Sequence, residues 1–423
     1  MERSSQVSGF YRLSIDQRLE HLKRFAELTD EETALLRAQG ALKLEDADRM
    51  VENIIGTMPV PLGVAVNFLI NGKDYIIPMA IEEPSVIAAA SNAARMARVT
   101  GGFTSTTTES VMRGQIQIVN IADPNRARLA LFEAKEEILQ RANSQDPVLV
   151  SKGGGAKDVE AKILNTPAGT MVIAELLVDC LDVMGANAVN TMTEAVAPFV
   201  EKVTGGRVYL RIISNLADRR LARARAVFSK ETVGGEDVVE GVVQAYAFAV
   251  SDPYRCATHN KGIMNGVSAV VLATGNDTRA VEAGAHAYAA RTGRYLPLTT
   301  WEKNIDGDLV GTIELPVAVG VVGGLTRVHP IARTNLKILG VSTSRELGEV
   351  IASVGLAQNF AALRALAAEG IQRGHMALHA RNLATQVGAT GGMIEVVAAQ
   401  MMAEKAVRWD RAKQILEELK RQA

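Results

Sequence analysis

One stretch in the middle of the chain, residues 115–214, restricts the fold more than any other part of the sequence. Four of its segments have the alternation or the short apolar runs of β-strands: 115–120, 157–164, 171–178 and 208–214. Two others have the longer apolar period of helices: 124–140 and 187–203. The resulting order, β-α-β-β-α-β, is the split arrangement of ferredoxin-like domains.

The segments on either side of this stretch predict an α/β (α+β) protein with an inserted domain. We expect residues 1–110 and 220–375 to form one large domain of mixed helices and strands, interrupted by a small domain at 111–219. The remaining residues are mostly helical, with glycines at 388–392 as a joint, and we expect 376–423 to act as a mobile lid. A length of 423 residues, which corresponds to two or three domains, agrees with this division.

Three local patterns near the N-terminus predict individual elements of the large domain. Asn71-Gly72, which tolerates positive φ in a two-residue turn, lies between two apolar segments and predicts a β-hairpin. Thr29 and Glu32 have the spacing of a capping box at a helix start. Pro84 is well placed for the first turn of the Ala-rich helix that follows it.

Charge and cysteine content exclude several classes of protein. The 46 Lys and Arg residues balance 47 Asp and Glu residues, and aromatic residues make up only 4%, which argues against nucleic-acid binding. Two cysteines, Cys180 and Cys256, are too few for a disulfide scaffold and favour a reducing compartment. We find no export signal and no apolar stretch of membrane-spanning length. We therefore expect a cytoplasmic protein that binds neither nucleic acid nor a membrane.

Two glycine-containing segments are candidate binding loops. Residues 182–187, Asp-Val-Met-Gly-Ala-Asn, directly precede a predicted helix, whose first amides favour a pyrophosphate. Residues 319–324, Val-Gly-Val-Val-Gly-Gly, form the second segment. An ordinary tight turn is the alternative for each. The sequence supports neither an ordinary Rossmann motif nor a P-loop.

The densest polar segment lies at residues 252–266 and includes Arg255, His259, Lys261 and Asn265. Because it has no amphipathic period, we expect a loop, and it lies between two segments that have the composition of buried elements. Polar side chains held between buried elements must be hydrogen bonded or serve a function. The segment is therefore a candidate site, with a solvated loop as the alternative.

Asp277 ends the short segment Gly275-Asn276-Asp277, which precedes a predicted helix at 278–291. The common role of an Asp at this position is to cap the helix N-terminus, so the sequence alone leaves its function open.

Two histidines, His375 and His379, lie four residues apart on one predicted helix face. A zinc protease would have Glu directly after the first His, where this chain has Met376, and no third ligand is near. We therefore expect no metal. A histidine of ordinary pKa near a leaving group is better suited to donating a proton.

Cys256 and His259 offer a different chemistry, that of a thiol nucleophile with a neighbouring base. Nearby cations could lower the pKa of the thiol. The simpler role, which we favour, is that of a small buried residue.

Six short segments occur along the chain in a characteristic order. They are Glu-Asn-Ile-Ile-Gly at 52–56, Pro-Met-Ala-Ile-Glu-Glu-Pro-Ser at 78–85, the turn at 182–187, His-Asn-Lys-Gly at 259–262, Gly-Asn-Asp at 275–277 and Gly-His-Met at 374–376. Through them the chain resembles the 3-hydroxy-3-methylglutaryl-CoA reductases over essentially its whole length. The resemblance is to class II, the bacterial branch, which lacks the membrane anchor of the eukaryotic enzymes.

The resemblance implies four catalytic residues. Lys261 would stabilise the oxyanion that forms as hydride reaches the thioester carbonyl. Glu83 would supply a proton to the carbonyl oxygen, and Asp277 would bridge Lys261 and Glu83. His375, at the start of the predicted lid, would protonate the departing coenzyme A thiolate.

Substrate and cofactor residues follow from the same resemblance. Ser85, Arg255 and Asn265 would hold the hydroxymethylglutaryl group, with Arg255 bound to its carboxylate. A nicotinamide cofactor would bind at the turn, through Asp182, Met184, Gly185, Ala186 and Asn187. Val183 stands in that turn where Ala is more usual. Asp146 is a candidate for the ribose hydroxyls and would repel a 2′-phosphate, so we expect NAD(H) rather than NADP(H).

The implied reaction converts 3-hydroxy-3-methylglutaryl-CoA to mevalonate and free coenzyme A by two hydride transfers, through mevaldyl-CoA and mevaldehyde, or runs in reverse. Members of this family build the active site across a dimer interface, so we expect a homodimer that assembles further. The alternative is an acyl-CoA thioester hydrolase or transferase that uses Cys256 and His259 without a nicotinamide. A non-catalytic coenzyme A-binding module is a third possibility, and it would not need Lys261.

Overall fold

The computed structural model describes residues 4–38, 40–368 and 371–422, with side chains for all of these except 325, 327, 371–378 and 422. The described strands are β1 (Leu62–Ile70), β2 (Lys73–Ala80), β3 (Phe103–Thr107), β4 (Val111–Val119), β5 (Gly155–Thr166), β6 (Gly169–Asp179), β7 (Arg207–Ile213), β8 (Leu221–Phe228), β9 (Thr299–Lys303) and β10 (Leu309–Pro316).

The α-helices before and within the middle stretch are α1 (Ile15–Ala26), α2 (Asp30–Arg37), α3 (Leu44–Met50), α4 (Val86–Arg98), α5 (Pro124–Glu133), α6 (Lys135–Asn143), α7 (Pro147–Ser151) and α8 (Ala186–Thr204). Those after it are α9 (Lys230–Val233), α10 (Glu236–Ser251), α11 (Pro253–Ala273), α12 (Thr278–Ala289), α13 (Gly324–Val328), α14 (Pro330–Leu339), α15 (Ser344–Ala368), α16 (Ile371–Gln386), α17 (Gly392–Ala403) and α18 (Trp409–Gln422).

The strands form two sheets, and the predicted mixed α/β class is confirmed. The larger sheet has six strands in the order β2-β1-β3-β8-β10-β9, all antiparallel except for the single parallel pair between β1 and β3. The smaller sheet is antiparallel, in the order β5-β6-β4-β7. Its elements follow one another as predicted, β-α-β-β-α-β, although the first helical part consists of three helices, α5 to α7.

Each sheet has its own apolar core. Ala222, Ala224 and Ala226 alternate along β8 with exposed arginines, so that one face of the large sheet packs on helices. The chief of these helices is α15, which contacts β3, β8, β10, α4, α10 and α11 and is almost wholly buried from Leu347 to Phe360. A separate cluster fills the small sheet and α8, and another joins α16, α17 and α18.

One described helix, α15, is long and apolar enough to cross a membrane by length and composition, with a mean hydropathy of 1.4 in its most apolar window. Of that window, 67% is buried inside the protein. The core helix of a globular protein has these properties too, so the length and hydropathy of α15 follow from its position against the large sheet.

The local predictions near the N-terminus are confirmed, with one adjustment. Asn71 and Gly72 both have positive φ, 51° and 77°, and connect β1 to β2 as a two-residue turn. Thr29 and Glu32 form a capping box on α2. Pro84, however, precedes the N-cap of α4 instead of lying in its first turn, because Ser85 takes the N-cap position.

The prediction of a loop at residues 252–266 is wrong, because α11 runs through them. Asp252 caps the helix by accepting a hydrogen bond from the Tyr254 amide, and Pro253 follows at the first position, which is a standard start signal. The second half of α11 is buried on most sides, and in the first half polar side chains such as His259 and Asn260 are buried as well. Because α11 is buried on most sides, its sequence has no apolar stripe on one face, and the helical period cannot be recognised from the residue pattern.

Candidate active site

Three of the predicted site residues meet between α11 and the segment that leads into α4. The Lys261 ammonium donates to Glu83 Oε2 at 2.7 Å, and the Asn265 amide donates to Glu83 Oε1 at 3.2 Å. Lys261 and Asn265 are four residues apart and so lie on the same face of α11. Both oxygens of the Glu83 carboxylate are thus held by one face of α11, although Glu83 and Lys261 are 178 residues apart in the sequence.

This cluster faces open space. Glu83 and Ser85 line a cleft of about 1600 Å³, which extends towards the N-terminal helices and also contains Arg12, Arg18 and Arg95. The Lys261 side chain is 60% exposed and that of Glu83 is 34% exposed. A ligand in the cleft can therefore reach the Glu83 carboxylate, whose two oxygens are held by the Lys261 ammonium and the Asn265 amide.

Ser85 is held in an unusual backbone conformation at this cleft. Its φ of 72° lies in the left-handed region, which is costly for a residue with a Cβ. Although it occupies the N-cap position of α4, its side chain makes no capping hydrogen bond. Its hydroxyl is therefore not used for the usual purpose of a serine at a helix start.

Two other predicted residues occupy different surroundings from those implied by the resemblance. Asp277 caps α12: its Oδ1 accepts hydrogen bonds from the amides of Arg279 and Ala280 and from the Arg279 side chain. Burial opposes ionisation, but these bonds outweigh it and lower the pKa of Asp277. The structure shows no hydrogen bond or ion pair from Asp277 to Lys261 or Glu83, so the bridge is not formed in this arrangement, and Oδ1 is engaged at the start of α12 instead.

Arg255 is half-buried near the start of α11. Six residues separate it from Lys261, a rise of about 9 Å and a rotation of about 120° away from it around the helix axis. Arg255 therefore does not share the helix face that holds Glu83. The predicted His375 lies in α16, but its side chain is outside the described residues, so its position relative to the cleft stays a prediction.

The predicted cofactor turn connects β6 to α8 in the small sheet. Gly185 is the N-cap of α8 with a φ of 109°. A Cβ at this position would lie 2.4 Å from Cys180 Sγ, so glycine is required both for the backbone conformation and for the space. The first amides of α8, at Ala186 and Asn187, have no acceptor within their own helix, as is usual at a helix N-terminus.

The two glycine-containing segments, considered separately in the sequence, are in direct contact. The amides of Val321 and Val322 donate to the Asp182 carbonyl, at 3.0 Å and 3.4 Å. A Cβ on Gly320 would lie 2.7 Å from the Met184 nitrogen, which shows how closely the backbones approach. The Gly320 amide donates to the Asn276 side chain at 2.8 Å. The turn is thereby connected to the segment that contains Asp277.

Two residues that the sequence did not single out hold this turn. Ser344, at the start of α15, donates its amide to Asp182 Oδ1 at 2.8 Å and its hydroxyl to the Leu181 carbonyl at 2.8 Å. Arg220 is only 5% exposed and donates to carbonyl oxygens on both glycine segments. One oxygen of the Asp182 carboxylate is thus engaged within the protein. No sequence signal could have indicated Arg220, because its partners are backbone atoms.

Asp146 lies at the N-terminus of α7, where its Oδ1 accepts a hydrogen bond from the Leu149 amide at 2.9 Å. The structure thus assigns this oxygen a capping role, while the contact of Asp146 with a ribose stays a prediction.

Cys256 and His259 lack the surroundings that a thiol nucleophile needs. Both are buried, with exposures of 0% and 2%. Burial raises the pKa of the Cys256 thiol to about 11 although Arg255 opposes this, so the thiolate is scarce at neutral pH. His259 Nε2 is bonded to the Thr299 hydroxyl at 2.7 Å, and burial lowers the pKa of this imidazole to about 4, with Arg255 adding to the effect.

The fold and these motifs can be compared with those of known proteins. A family model for hydroxymethylglutaryl-coenzyme A reductase matches residues 14–380. The chain belongs to this family. The 3-hydroxy-3-methylglutaryl-coenzyme A reductase of Archaeoglobus fulgidus is 62% identical over 417 residues, which cover 99% of this chain and 95% of the relative. A probable enzyme of the same name from Borreliella burgdorferi is 34% identical over 383 residues, covering 89% of this chain and 86% of the relative.

A solved structure extends the likeness to three dimensions. The class II 3-hydroxy-3-methylglutaryl-CoA reductase from Streptococcus pneumoniae, bound to NADPH in open conformations, matches with a TM-score of 0.82 at 38% identity. The match covers 96% of this chain and 100% of that one. The predicted class II reductase function is thereby confirmed, and the hydrolase alternative receives no support. The family is one of oxidoreductases in mevalonate metabolism.

Proposed function

We propose that the cluster of Glu83, Lys261 and Asn265 is the catalytic centre for interconversion of 3-hydroxy-3-methylglutaryl-CoA and mevalonate. The observation that carries this proposal is the 2.7 Å contact between Lys261 and Glu83 at an open cleft. The contact puts a cation and a proton-transfer group within reach of one carbonyl oxygen.

Lys261 stabilises the negative charge that develops on the thioester carbonyl oxygen. A cation held in place before the reaction stabilises a developing oxyanion by several kcal/mol in comparable sites, about 3–4 kcal/mol for a single donor. Glu83 transfers a proton to the same oxygen in the direction of reduction and removes it in the direction of oxidation. The Asn265 amide, bonded to the other Glu83 oxygen, fixes the orientation of that carboxyl group.

A nicotinamide dinucleotide supplies and accepts hydride in this reaction. The residues present fit such a group: the Gly185 turn leaves the first amides of α8 available for a pyrophosphate. We propose that Met184, Gly185, Ala186 and Asn187 contact the dinucleotide, while Asp182 chiefly supports the turn. The large domain, 1–110 and 220–375, binds coenzyme A and substrate, and the small domain, 111–219, binds the dinucleotide.

The choice of dinucleotide is a finer part of the proposal. We propose NAD(H), because the Asp146 carboxylate repels the 2′-phosphate of NADP(H). The pneumococcal relative is bound to NADPH, so the preference of this chain for NADH has to be measured directly. Rates with NADH and NADPH, measured under identical conditions, decide it, and a faster reaction with NADPH contradicts our assignment.

The arginines of the cleft are suited to the phosphates of coenzyme A. Arg12, Arg18 and Arg95 line it together with Glu83, so a bound thioester would have cations at one end and the reacting carbonyl at the other. We propose that Ser85 and Arg255 bind the hydroxymethylglutaryl group. Because Arg255 lies on another face of α11, its contribution requires a substrate that extends around the helix.

The described residues of α16, α17 and α18 have an apolar core of their own, which suits a predicted lid at 376–423 that moves as a unit. We propose that closure brings His375 to the departing thiolate. His375→Gln is expected to impair thioester reduction much more than reduction of free mevaldehyde, whereas equal losses on both substrates contradict this role. For Asp277, we propose that its side chain contacts Glu83 and Lys261 only after it leaves its capping position at the start of α12.

We propose that the protein functions in the cytoplasm as a homodimer that assembles further. The segment containing residues 52–56 is exposed, and the side chains of Ile55 and Met58 are 101% and 88% exposed. Apolar side chains this exposed favour burial against another copy. Tyr254, at the start of α11, is 85% exposed as well.

The decisive experiment follows the absorbance of NADH and of NADPH with 3-hydroxy-3-methylglutaryl-CoA, and then the reverse reaction with mevalonate, coenzyme A and the oxidised dinucleotide. We expect turnover in both directions. No absorbance change in either direction with either dinucleotide would refute the proposal.

A further inference from the structure

Arg220 is an unusual residue in this fold because it is a buried cation surrounded by backbone carbonyls. It directly precedes β8, and its own carbonyl accepts a hydrogen bond from the Val317 amide at 3.0 Å, so its backbone belongs to the large sheet. Its side chain, 5% exposed, extends to the turn between β6 and α8 of the small sheet.

The guanidinium group contacts four carbonyl oxygens. Nη1 donates to Val183 and Met184, both at 3.0 Å. Nη2 donates to Leu181 at 3.5 Å and to Val319 at 2.5 Å. Two of these acceptors belong to the cofactor turn, Leu181 directly precedes it, and the fourth belongs to the Gly320 segment. One side chain therefore joins the two glycine segments that pack against each other.

The charge of Arg220 is surrounded by these carbonyl dipoles, and the nearby carboxylates of Asp179 and Asp182 stabilise it as well. Burial lowers the pKa of the guanidinium group, which nevertheless stays protonated because its starting value is so high. The neighbouring Cys180 is neutral, since burial raises the pKa of its thiol to about 12. The four hydrogen bonds that the Arg220 guanidinium donates all end on carbonyl oxygens, so the stability of the buried charge depends in part on these carbonyls being turned towards it.

This orientation determines where the opposite ends of the same peptides point. In a trans peptide the C=O and N–H groups point in opposite directions. Because the Met184 carbonyl is bonded to Arg220, the Gly185 amide points away from Arg220, on the side of the α8 N-terminus. Arg220 thus favours the peptide orientation that adds one more amide to the anion-binding end of α8.

We infer that Arg220 is a positioning residue for the dinucleotide: it fixes the turn at 181–185 in the conformation that binds the pyrophosphate, without touching the ligand. This inference rests on the proposed function and assigns a residue outside the motifs to it. Lys cannot replace the planar fork, because a single ammonium with three donors cannot reach four carbonyls in this arrangement.

The test compares Arg220→Lys and Arg220→Met with the wild type. The dissociation constants of NADH and NADPH are measured by fluorescence titration, and the KM for 3-hydroxy-3-methylglutaryl-CoA is measured separately. We expect Arg220→Met to raise the dissociation constant of the preferred dinucleotide by about tenfold or more, since hydrogen bonds from a charged group carry factors of this size. We expect the dissociation constant of Arg220→Lys to lie between those of the wild type and Arg220→Met. The KM for the thioester should change by less than about twofold in both variants.

Arg364 provides a matched control. It is half-buried and donates through Nε to the Val233 carbonyl at 2.7 Å, away from both glycine segments. Arg364→Met removes a comparable bond and is expected to leave both dissociation constants unchanged. Circular dichroism and melting temperatures establish which variants are folded.

The inference is overturned if folded Arg220 variants bind the dinucleotide as the wild type does, or if their affinity for dinucleotide and thioester falls equally. Failure of both variants to fold also overturns it, because Arg220 would then serve the stability of the whole chain. A wild type that binds neither dinucleotide refutes the proposed function instead.

Discussion

Lys261→Ala separates the contribution of this lysine to stability from its contribution to catalysis. The side chain is 60% exposed and its ion pair with Glu83 is accessible to solvent. Exposed pairs of this kind contribute about 0–1 kcal/mol to the free energy of unfolding. We therefore expect the variant to keep its fold and to melt within a few degrees of the wild type.

The expected loss of activity is much larger. Removing one positioned donor from an oxyanion site lowers kcat by about 10²–10³, which corresponds to about 3–4 kcal/mol in the activation free energy. Lys261 carries a full charge, so we expect the upper end of this range or beyond. The Asn265 amide remains on Glu83, but it is bonded to the other oxygen and does not replace the ammonium.

The assay is steady-state turnover of 3-hydroxy-3-methylglutaryl-CoA with the preferred dinucleotide, with thermal unfolding measured on the same samples. Lys303→Ala is the matched control, because Lys303 on the edge strand β9 is 46% exposed and pairs with Glu240 of α10, not with Glu83. It should lower neither activity nor stability appreciably. Near-normal kcat in Lys261→Ala would refute the assignment, and so would a loss of activity that merely follows unfolding.

Three further predictions concern buried groups. Cys256→Ser should retain turnover within about twofold, because the raised pKa of this thiol makes it a poor nucleophile; loss of activity in a folded variant would revive the hydrolase alternative. Gly185→Ala should weaken dinucleotide binding and lower the unfolding free energy by about 1–2 kcal/mol for the positive φ alone, with more for the overlap with Cys180. In a double-mutant cycle measured by urea unfolding, Cys180→Ala should recover part of the loss that comes from the overlap. If the effects of Gly185→Ala and Cys180→Ala on the unfolding free energy simply add, the overlap is contradicted. His259 has a pKa of about 4 in the folded state against its usual 6.5, so the unfolded state binds more protons between these values and stability falls as pH decreases through this window. The decrease from His259 should be about 2 kcal/mol between about pH 7 and pH 5, and His259→Asn should show a correspondingly smaller change in urea unfolding.

The sequence predicted the elements whose pattern is local. The Asn71-Gly72 turn and the strands of the small sheet follow from residue types at fixed spacings. That Glu83 and Lys261 belong to one site was predicted through motifs of a known family, because no local pattern links residues 178 positions apart. Their direct contact was not predicted, since Asp277 was expected to lie between them. The helical state of 252–266 was missed, since a helix buried on most sides has no apolar stripe.

What the sequence could not show depends on backbone atoms. Arg220 binds four carbonyls, which every residue type has, so no spacing of side chains indicates it. The contact between Gly320 and Met184 likewise depends on how closely two backbones approach. Asp277 was assigned a bridging role, but in the structure it caps α12. Capping is the common role of an Asp before a helix, and it was the alternative that the sequence left open.

The connectivity of the two sheets has a consequence for biosynthesis. The small sheet is one continuous stretch of chain and is complete at Ile213, whereas the large sheet takes strands from both sides of it and is covered by α15, which ends at Ala368. At about 5–20 residues per second, the ribosome needs roughly 8–30 s to make the chain between these two points. During this interval β3 lacks α15, the helix that packs on it, although α4, which contacts β1, is already made. The large sheet therefore stays incompletely covered for longer than the small one, and its apolar face is open to aggregation until α15 is made.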